Sequence, residues 1–555
     1  VSTATPAASS ASAPAASRAG TLARLAEHPF DLLVIGGGIT GAGVARDAAL
    51  RGLAVALVER DDFAAGTSSR SSRLIHGGVR YLEHGHLGLV FEASRERRTL
   101  LRTAPHLVRP LEFTWPVYRG ARVPRWKLVA GLALYDALAL WGNVARHRPL
   151  GVDAVLAREP ALAREGLRGG ATYWDAATDD ARLTLATALD AAAAGAVLVN
   201  HAAVRALAPR GPDGLLRVEV DDLVGGERVS ARARAVVNAA GPWGDAVRRL
   251  VEPSAPAAVL GAKGVHVAVP AARVRNRGAV TLLSAVDGRV MFVLPAGPCT
   301  ILGTTETPAE RGPDEVRASE ADVAYLLRSA NAFFPEARLT RDDVVSAWAG
   351  VRPLAAGARG AGGGSTAAAS REHAIERDAR GVVTVSGGKL TTYRAMAAEV
   401  VDAAAPLLGR PAGASRTAER PLPGGALRGD EADAARAAAG DAEVAARLAR
   451  AHGAAWRDVW ARAEADPALA ARVDPALPYV GAEYAHAVER ELACTLADLL
   501  VRRTPLAFET RDAGRTAARA VAPLVAPLLG WDAAATARAL DDYDREAARL
   551  FGVDP

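Results

Sequence analysis

Residues 36–41 read Gly-Gly-Gly-Ile-Thr-Gly and contain a G-x-G-x-x-G pattern. Glycines at this spacing let a backbone turn tightly and approach a pyrophosphate, whose charge the N-terminus of a following helix then stabilises. Glu59 stands about 20 residues further on, where a carboxylate accepts hydrogen bonds from an adenosine ribose and repels a 2′-phosphate. The pattern by itself fits either NAD or FAD. The next stretch, 67–78 (TSSRSSRLIHGG), is short-chained, hydroxyl-rich and ends in two glycines. Such a segment suits FAD, a long cofactor that needs hydrogen bonds along its pyrophosphate and ribityl chain. A second chemical signal is the use of lysine. Nearly every basic residue is arginine, and Lys127, Lys263 and Lys389 are the exceptions. An ammonium can lose its proton where a guanidinium cannot.

These groups need elements to carry them. The apolar run 31–36 reads as a buried strand, 36–52 as a turn and helix, and 53–60 as a second buried strand. Strand, helix and strand in so short a span form a βαβ unit with a parallel sheet. Later segments extend it: a helix over 180–195 leading into a strand at 196–200, a strand and glycine turn over 232–243, and strand, Gly-Gly turn and helix over 382–404. Alternating patterns at 265–269 and 290–295 predict an antiparallel sheet inserted between these pieces. Beyond a Pro/Gly-rich linker at 406–428 the pattern is helical, over 431–462, 482–504, 514–528 and 532–550, and reads as a separate all-α domain. The first residues are rich in Ala, Ser and Pro and read as a disordered tail, with no signal peptide.

The chain of 555 residues is long enough for about three domains. Its net charge of +5 is small for that length and gives no reason to expect a nucleic-acid partner. Cys299 and Cys494 are its only cysteines, which excludes a disulfide framework or a cysteine-rich zinc module; no metal is expected.

A series of segments in fixed order is more specific than any of these signals. It comprises GGGITGAG, TSSRSSRLIHGGVRYLEH (67–84), APHLVRP (104–110), DDARL (179–183), NAAGPW (238–243), KGVH (263–266), GTTE (303–306), GVRPL (350–354), SREH (370–373) and GGKLTTYR (387–394). The sequence resembles the FAD-dependent glycerol-3-phosphate dehydrogenases, the respiratory, quinone-linked family, from about residue 30 to about 550. Val265 and Glu306 depart from it, standing where the family usually has Ser and Asp.

The resemblance implies an α/β fold of the amino-acid-oxidase type. Its FAD-binding Rossmann-like domain would be discontinuous, formed by 30–110, 170–252 and 345–405. A substrate-binding domain would comprise 111–169 and 253–344, with the tail at 1–29, the linker at 406–428 and a C-terminal helical domain at 429–555. The implied reaction is oxidation of sn-glycerol 3-phosphate to dihydroxyacetone phosphate by hydride transfer to FAD. Cofactor contacts are expected from Gly36, Gly38, Gly41, Glu59, Thr67, Ser68, Ser69, Ser72, His76, Gly77, Gly241, Trp243, Gly388, Leu390 and Thr391. Arg80, Tyr81 and Arg371 are expected to hold the phosphate, His266 to accept the alcohol proton, and Arg352 and Lys389 to orient the alcohol. Converging guanidiniums repel one another unless an anion sits among them, and they bind phosphate in bidentate fashion. Lys389 is the alternative base if desolvation depresses its pKa.

The basic residues Arg95, Arg97, Arg98, Arg102, Arg109, Arg119, Arg122, Arg125 and Lys127 precede an apolar, aromatic-ended segment at 126–141. That pattern fits either a core helix with a solvated basic flank or a surface lying on an anionic membrane. The family tips the expectation to a protein peripherally bound at the inner face of the cell membrane on its cytoplasmic side, with a membrane quinone as acceptor and a homodimer as one possible assembly. Three other readings stay open: an oxidase of the same substrate that uses oxygen, an amino-acid or amine oxidase on the same scaffold, and a non-catalytic flavin-binding sensor.

Overall fold

The computed structural model describes residues 17–355 and 373–555. Arg371 and most of the glycine-rich loop at 355–370 lie outside those residues.

Two sheets organise the described chain. In the first, the strand Pro29–Ile35 lies between Val55–Val58 and Arg228–Asn238, with Val197–Val199 and Val382–Gly387 continuing the parallel order outward. Pro29–Ile35 is buried at every position but the first, as expected of a strand covered on both faces. The helices Ile39–Leu50, Asp180–Ala193 and Tyr393–Ala404 pack their small and branched side chains against one face. The hairpin of Ala202–Ala208 and Leu216–Asp222 extends the sheet from Arg228–Asn238, and His373–Arg377 borders Val382–Gly387.

The second sheet is mostly antiparallel. Its key strand, Val259–Pro270, pairs with Cys299–Gly303 on one side and Ser346–Ala355 on the other. The sheet continues through Val290–Ala296, Ala279–Leu283, Val108–Tyr118, Leu167–Thr178 and Leu74–Ile75. Residues 346–355 and 74–75, expected in the FAD-binding part, are strands of the second sheet, because pairing partners and not sequence neighbours fix sheet membership.

Three other expectations change. Part of the span expected as a tail is ordered: Arg18–Glu27 is a helix capped by Ser17, with Leu22 and Leu25 buried. Arg18 ties it down by donating to Asp222 Oδ1 at 2.5 Å and to the Asn200 carbonyl at 2.9 Å. The linker at 406–428 is sewn onto the first sheet's helices. Leu408 and Leu422 are buried, and Arg46 donates to the Arg420 carbonyl at 2.7 Å. The C-terminal helical domain packs tightly onto the second sheet. Leu499, Phe508, Val521 and Tyr543 share one core with Tyr173 and Trp348 of the second sheet. The helix expected over 482–504 is broken into Gly481–Arg490 and the wide-turned Asp498–Arg503, and 431–462 contains three helices. Buried ion pairs explain the second of these elements. Arg502 and Arg503 reach Asp62 at 2.8 and 2.5 Å, so the helical part grips the loop after Val55–Val58.

Candidate active site

A cavity of about 480 Å³ runs from the carboxyl ends of the first sheet's central strands to the second sheet. Among the sequence-predicted cofactor residues, Gly36, Gly38, Glu59, Thr67, Ser68, Ser72, His76, Gly241, Trp243, Gly388 and Leu390 line it. Gly36 adopts φ +109°, and a Cβ there would lie 2.7 Å from the Ala239 carbonyl oxygen. The helix Ile39–Leu50 begins at this turn with no acidic residue in its first turn. A glycine turn at the positive end of a helix makes a cradle for an anion, flanked by Ser68 Oγ, which accepts from Ile39 N at 2.9 Å. Glu59, the neighbouring acceptor, has a pKa raised to about 7 by burial, although Gly37 N and Asp61 N donate to it at 2.6 and 2.8 Å. Phosphate-sized donors beside an acceptor at the strand end fit the dinucleotide of FAD. The apolar walls of Leu74, Tyr173 and Phe292 fit the flavin ring.

The four other predicted cofactor residues stand behind the wall. Gly41 supports the turn, because a Cβ on it would overlap the Gly36 carbonyl oxygen. Ser69 is buried and its hydroxyl faces the Gly66 carbonyl at 3.4 Å. Gly77 N donates to Asp175 Oδ1 at 2.9 Å. Thr391 binds the backbone of His76, its Oγ1 accepting from His76 N at 3.1 Å and donating to His76 O at 3.2 Å. It thereby locks the two flanking loops together.

His266, Arg352, Lys389 and Tyr81 all line the same cavity. The second sheet explains the convergence. Alternation puts Trp348, Gly350 and Arg352 on one face of their strand, and the register sets His266 opposite Trp348 and Gly264 opposite Gly350. Gly264 leaves the room that the Arg352 guanidinium fills, since a Cβ there would come within 2.5 Å of Nη2. Arg352 Nη2 donates to Thr304 Oγ1 at 3.1 Å. Lys389 Nζ lies 4.2 Å from the centre of the Tyr81 ring, a cation over an aromatic face. Arg80 belongs by its backbone to the same turn, Val79–His84.

The His266 ring is 2% exposed, and its Nε2 lies 2.9 Å from Ser72 Oγ. Burial, with Arg352 and Arg73 nearby, lowers its pKa to about 3. The imidazole is therefore neutral across the physiological range. Ser72, expected at the cofactor, has its hydroxyl on this histidine. Sequence reasoning missed Trp348, Thr304 and the Ser72–His266 pair. The alternation W-x-G-x-R at 348–352 is the signal that could have found Trp348.

Two lysines serve elsewhere. Lys263, though inside a site motif, donates to Asp322 Oδ2 at 2.7 Å outside the cavity. Lys127 is exposed on the helix Arg125–Leu138. The basic flank is also thinner than its sequence: Arg97 is buried against Asp175 and Tyr135 beneath the Gly77 loop.

A family model described as FAD dependent oxidoreductase matches residues 31–403, and one described as the C-terminal domain of alpha-glycerophosphate oxidase matches 415–536. The chain is 40% identical over 552 residues to glycerol-3-phosphate dehydrogenase 2 of Mycobacterium bovis, covering 97% of this chain and 90% of that one. It is 36% identical to the human mitochondrial glycerol-3-phosphate dehydrogenase, covering 91% of this chain and 71% of the relative. The crystal structure of the glycerol-3-phosphate dehydrogenase from Bacillus halodurans complexed with FAD superposes with a TM-score of 0.78 at 32% identity, over 96% of this chain and 97% of that one. The L-alpha-glycerophosphate oxidase from Mycoplasma pneumoniae, at 17% identity and a TM-score of 0.54 over 71% of this chain and 99% of that one, shares the fold.

Proposed function

The chain belongs to the FAD-dependent glycerol-3-phosphate dehydrogenase family, and on that premise we propose that it oxidises sn-glycerol 3-phosphate to dihydroxyacetone phosphate and hands the electrons to a membrane quinone. The observation that carries the reading is that Tyr81, His266, Arg352 and Lys389 line the same cavity as the dinucleotide turn.

FAD, which Gly36, Gly38, Glu59, Thr67 and Ser68 would hold, would supply the hydride acceptor for C2. The chain's own residues manage charge and protons. Arg352 and Lys389 attract the dianionic substrate into a cavity with apolar walls, where low dielectric strengthens each charge contact. Arg80 and Arg371 join them in this reading on the family motif alone. Neutral His266 is ready to accept the hydroxyl proton without first losing one of its own. A bound phosphate dianion offsets the Arg352 and Arg73 charges, the smaller cause of the lowered His266 pKa, while burial, the larger cause, stays.

The membrane part of the proposal rests on the surface around Arg125–Leu138. Trp126, Leu140 and Trp141 are 73%, 64% and 59% exposed, and Arg119, Arg122, Arg125 and Lys127 are exposed beside them. Among the described residues no helix is long and apolar enough to cross a membrane. An in-plane contact with an anionic inner leaflet suits such a surface.

Anaerobic titration tests the core of the reading. Glycerol 3-phosphate should bleach the flavin absorbance at micromolar to millimolar concentrations, and unphosphorylated glycerol should not; bleaching by both alike would remove the phosphate site. The oxidase family name over 415–536 keeps oxygen as a second acceptor. Faster peroxide release in air than reduction of a quinone analogue would favour it. Failure to co-sediment with anionic liposomes would end the membrane proposal.

A further inference from the structure

The imidazole of His266 is held on two sides. Ser72 Oγ meets its Nε2 edge at 2.9 Å. The Trp348 indole stacks on its face, with ring centres 5.5 Å apart and planes 14° from parallel. Trp348 is held in turn from the C-terminal region. Phe508 meets the indole edge-on at 5.0 Å, and Phe551 meets Phe508 edge-on at 5.0 Å. Neither phenylalanine lines the cavity.

Other contacts fasten the same assembly. Ser346 Oγ, two residues before Trp348, donates to the Phe508 carbonyl at 2.6 Å. The Arg73 guanidinium lies 4.9 Å from the Phe508 ring centre and 6.0 Å from that of Trp348. The end of the chain, Val553–Asp554, pairs with Ala318–Ser319. Ser319 and Asp322 form the capping box of the helix Glu320–Asn331. Asp322 also accepts from Lys263, on the His266 strand three residues before it. Two separate routes thus join the C-terminal region to one strand. Aromatic pairs add geometric preference to burial, and a base on a fixed plane keeps its proton-accepting lone pair aligned, which a rotating ring does not.

We propose that the C-terminal helical region is a positioning element for His266: Phe508, backed by Phe551, holds Trp348, Trp348 fixes the plane of the imidazole, and Ser72 fixes its rotation. The catalytic consequence rests on His266 as the base; the mechanical claim does not.

The test uses the flavin-loaded protein with Trp348→Leu, Trp348→Phe and Phe508→Leu, each alone and combined with His266→Ala. Three quantities are read: single-turnover flavin reduction by glycerol 3-phosphate, flavin content, and deuterium exchange at the His266 ring carbon by mass spectrometry. Trp348→Leu should slow reduction about 10–100-fold at unchanged flavin content, as misplacement of a catalytic group does. Trp348→Phe, which can still stack, should recover most of that rate. Phe508→Leu should slow reduction several-fold, and it carries the test alone if Trp348→Leu does not fold. In the His266→Ala background these changes should cost less than about twofold more, because coupled residues act as a unit. Ring-carbon exchange at His266 should accelerate in Trp348→Leu and Phe508→Leu. Equal losses in both backgrounds, or unchanged exchange, would overturn the proposal. Should His266→Ala alone reduce flavin at the parent rate while exchange still accelerates in the stack variants, the base assignment falls and the positioning role stands.

Discussion

The two ends of the cavity are built on different plans. The dinucleotide end is made of backbone: the turn 36–41, a helix N-terminus and one carboxylate, all within about 25 residues of chain. The reaction end is made of side chains gathered from Ser72, Tyr81, His266, Thr304, Arg352 and Lys389. In the first, glycines are required because backbone passes backbone. In the second, Gly264 is required because a guanidinium needs the space. The same residue type therefore fails differently at the two ends when replaced, and two measurements exploit this.

The largest effect is expected at the backbone end. In Gly41→Ala the new methyl group overlaps the Gly36 carbonyl oxygen, and neither backbone segment has freedom to give. The variant should purify without flavin and without activity; a yellow, active Gly41→Ala protein would break the contrast. A smaller and more selective loss is expected at the side-chain end. In Gly264→Ala the methyl group meets the tip of Arg352, which can swing aside. Flavin content and melting temperature should hold, while kcat/KM for glycerol 3-phosphate falls about 100-fold, as for a displaced positioning group. Arg352→Ala added to Gly264→Ala should cost little more. A drop in flavin content instead would mean that the two ends are not separable.

The smallest effect is a pair of opposite pH dependences in the flavin-free protein. The His266 pKa is lowered from 6.5 to about 3, so the unfolded chain binds a proton that the native state does not. Its contribution is complete above pH 6.5 and is lost as pH falls toward 3. The Glu59 pKa is raised from 4.5 to about 7, which reverses the sign. Its contribution is complete below pH 4.5 and is lost as pH rises through 7. The ceilings are about 5 kcal/mol for His266 and about 3 kcal/mol for Glu59. In urea denaturation, His266→Gln should flatten the acid limb of stability against pH and Glu59→Gln the limb between pH 4.5 and 7. A variant that leaves its limb unchanged would show that burial at that end is relieved by water.

Much of the first sheet was legible because its signals are local. A buried strand, a glycine turn and a helix lie within one short span, and the turn's chemistry is fixed by the backbone itself. The reaction residues His266, Arg352 and Lys389 were named from motifs, yet their arrangement was not readable. Ser72 looked like a cofactor ligand because its neighbours Thr67 and Ser68 are cavity-lining hydroxyls, and only the fold turns its hydroxyl to His266. Lys263 looked functional because it sits in KGVH; strand alternation does not reveal that Asp322 waits outside. Arg97 looked like surface charge until Asp175 and Tyr135 were placed around it.

By itself the sequence determined the FAD turn, the α/β class and the family, since each depends on the order of residues along the chain. Tertiary structure alone decided which strands share a sheet, that Gly264 shelters Arg352, and that Phe508 from the far end of the chain stands behind the histidine. The physical reason is range: torsional preference and helix-end charge act over a few residues, whereas strand register and close packing are settled between segments hundreds of residues apart, where every side chain must find its space at once.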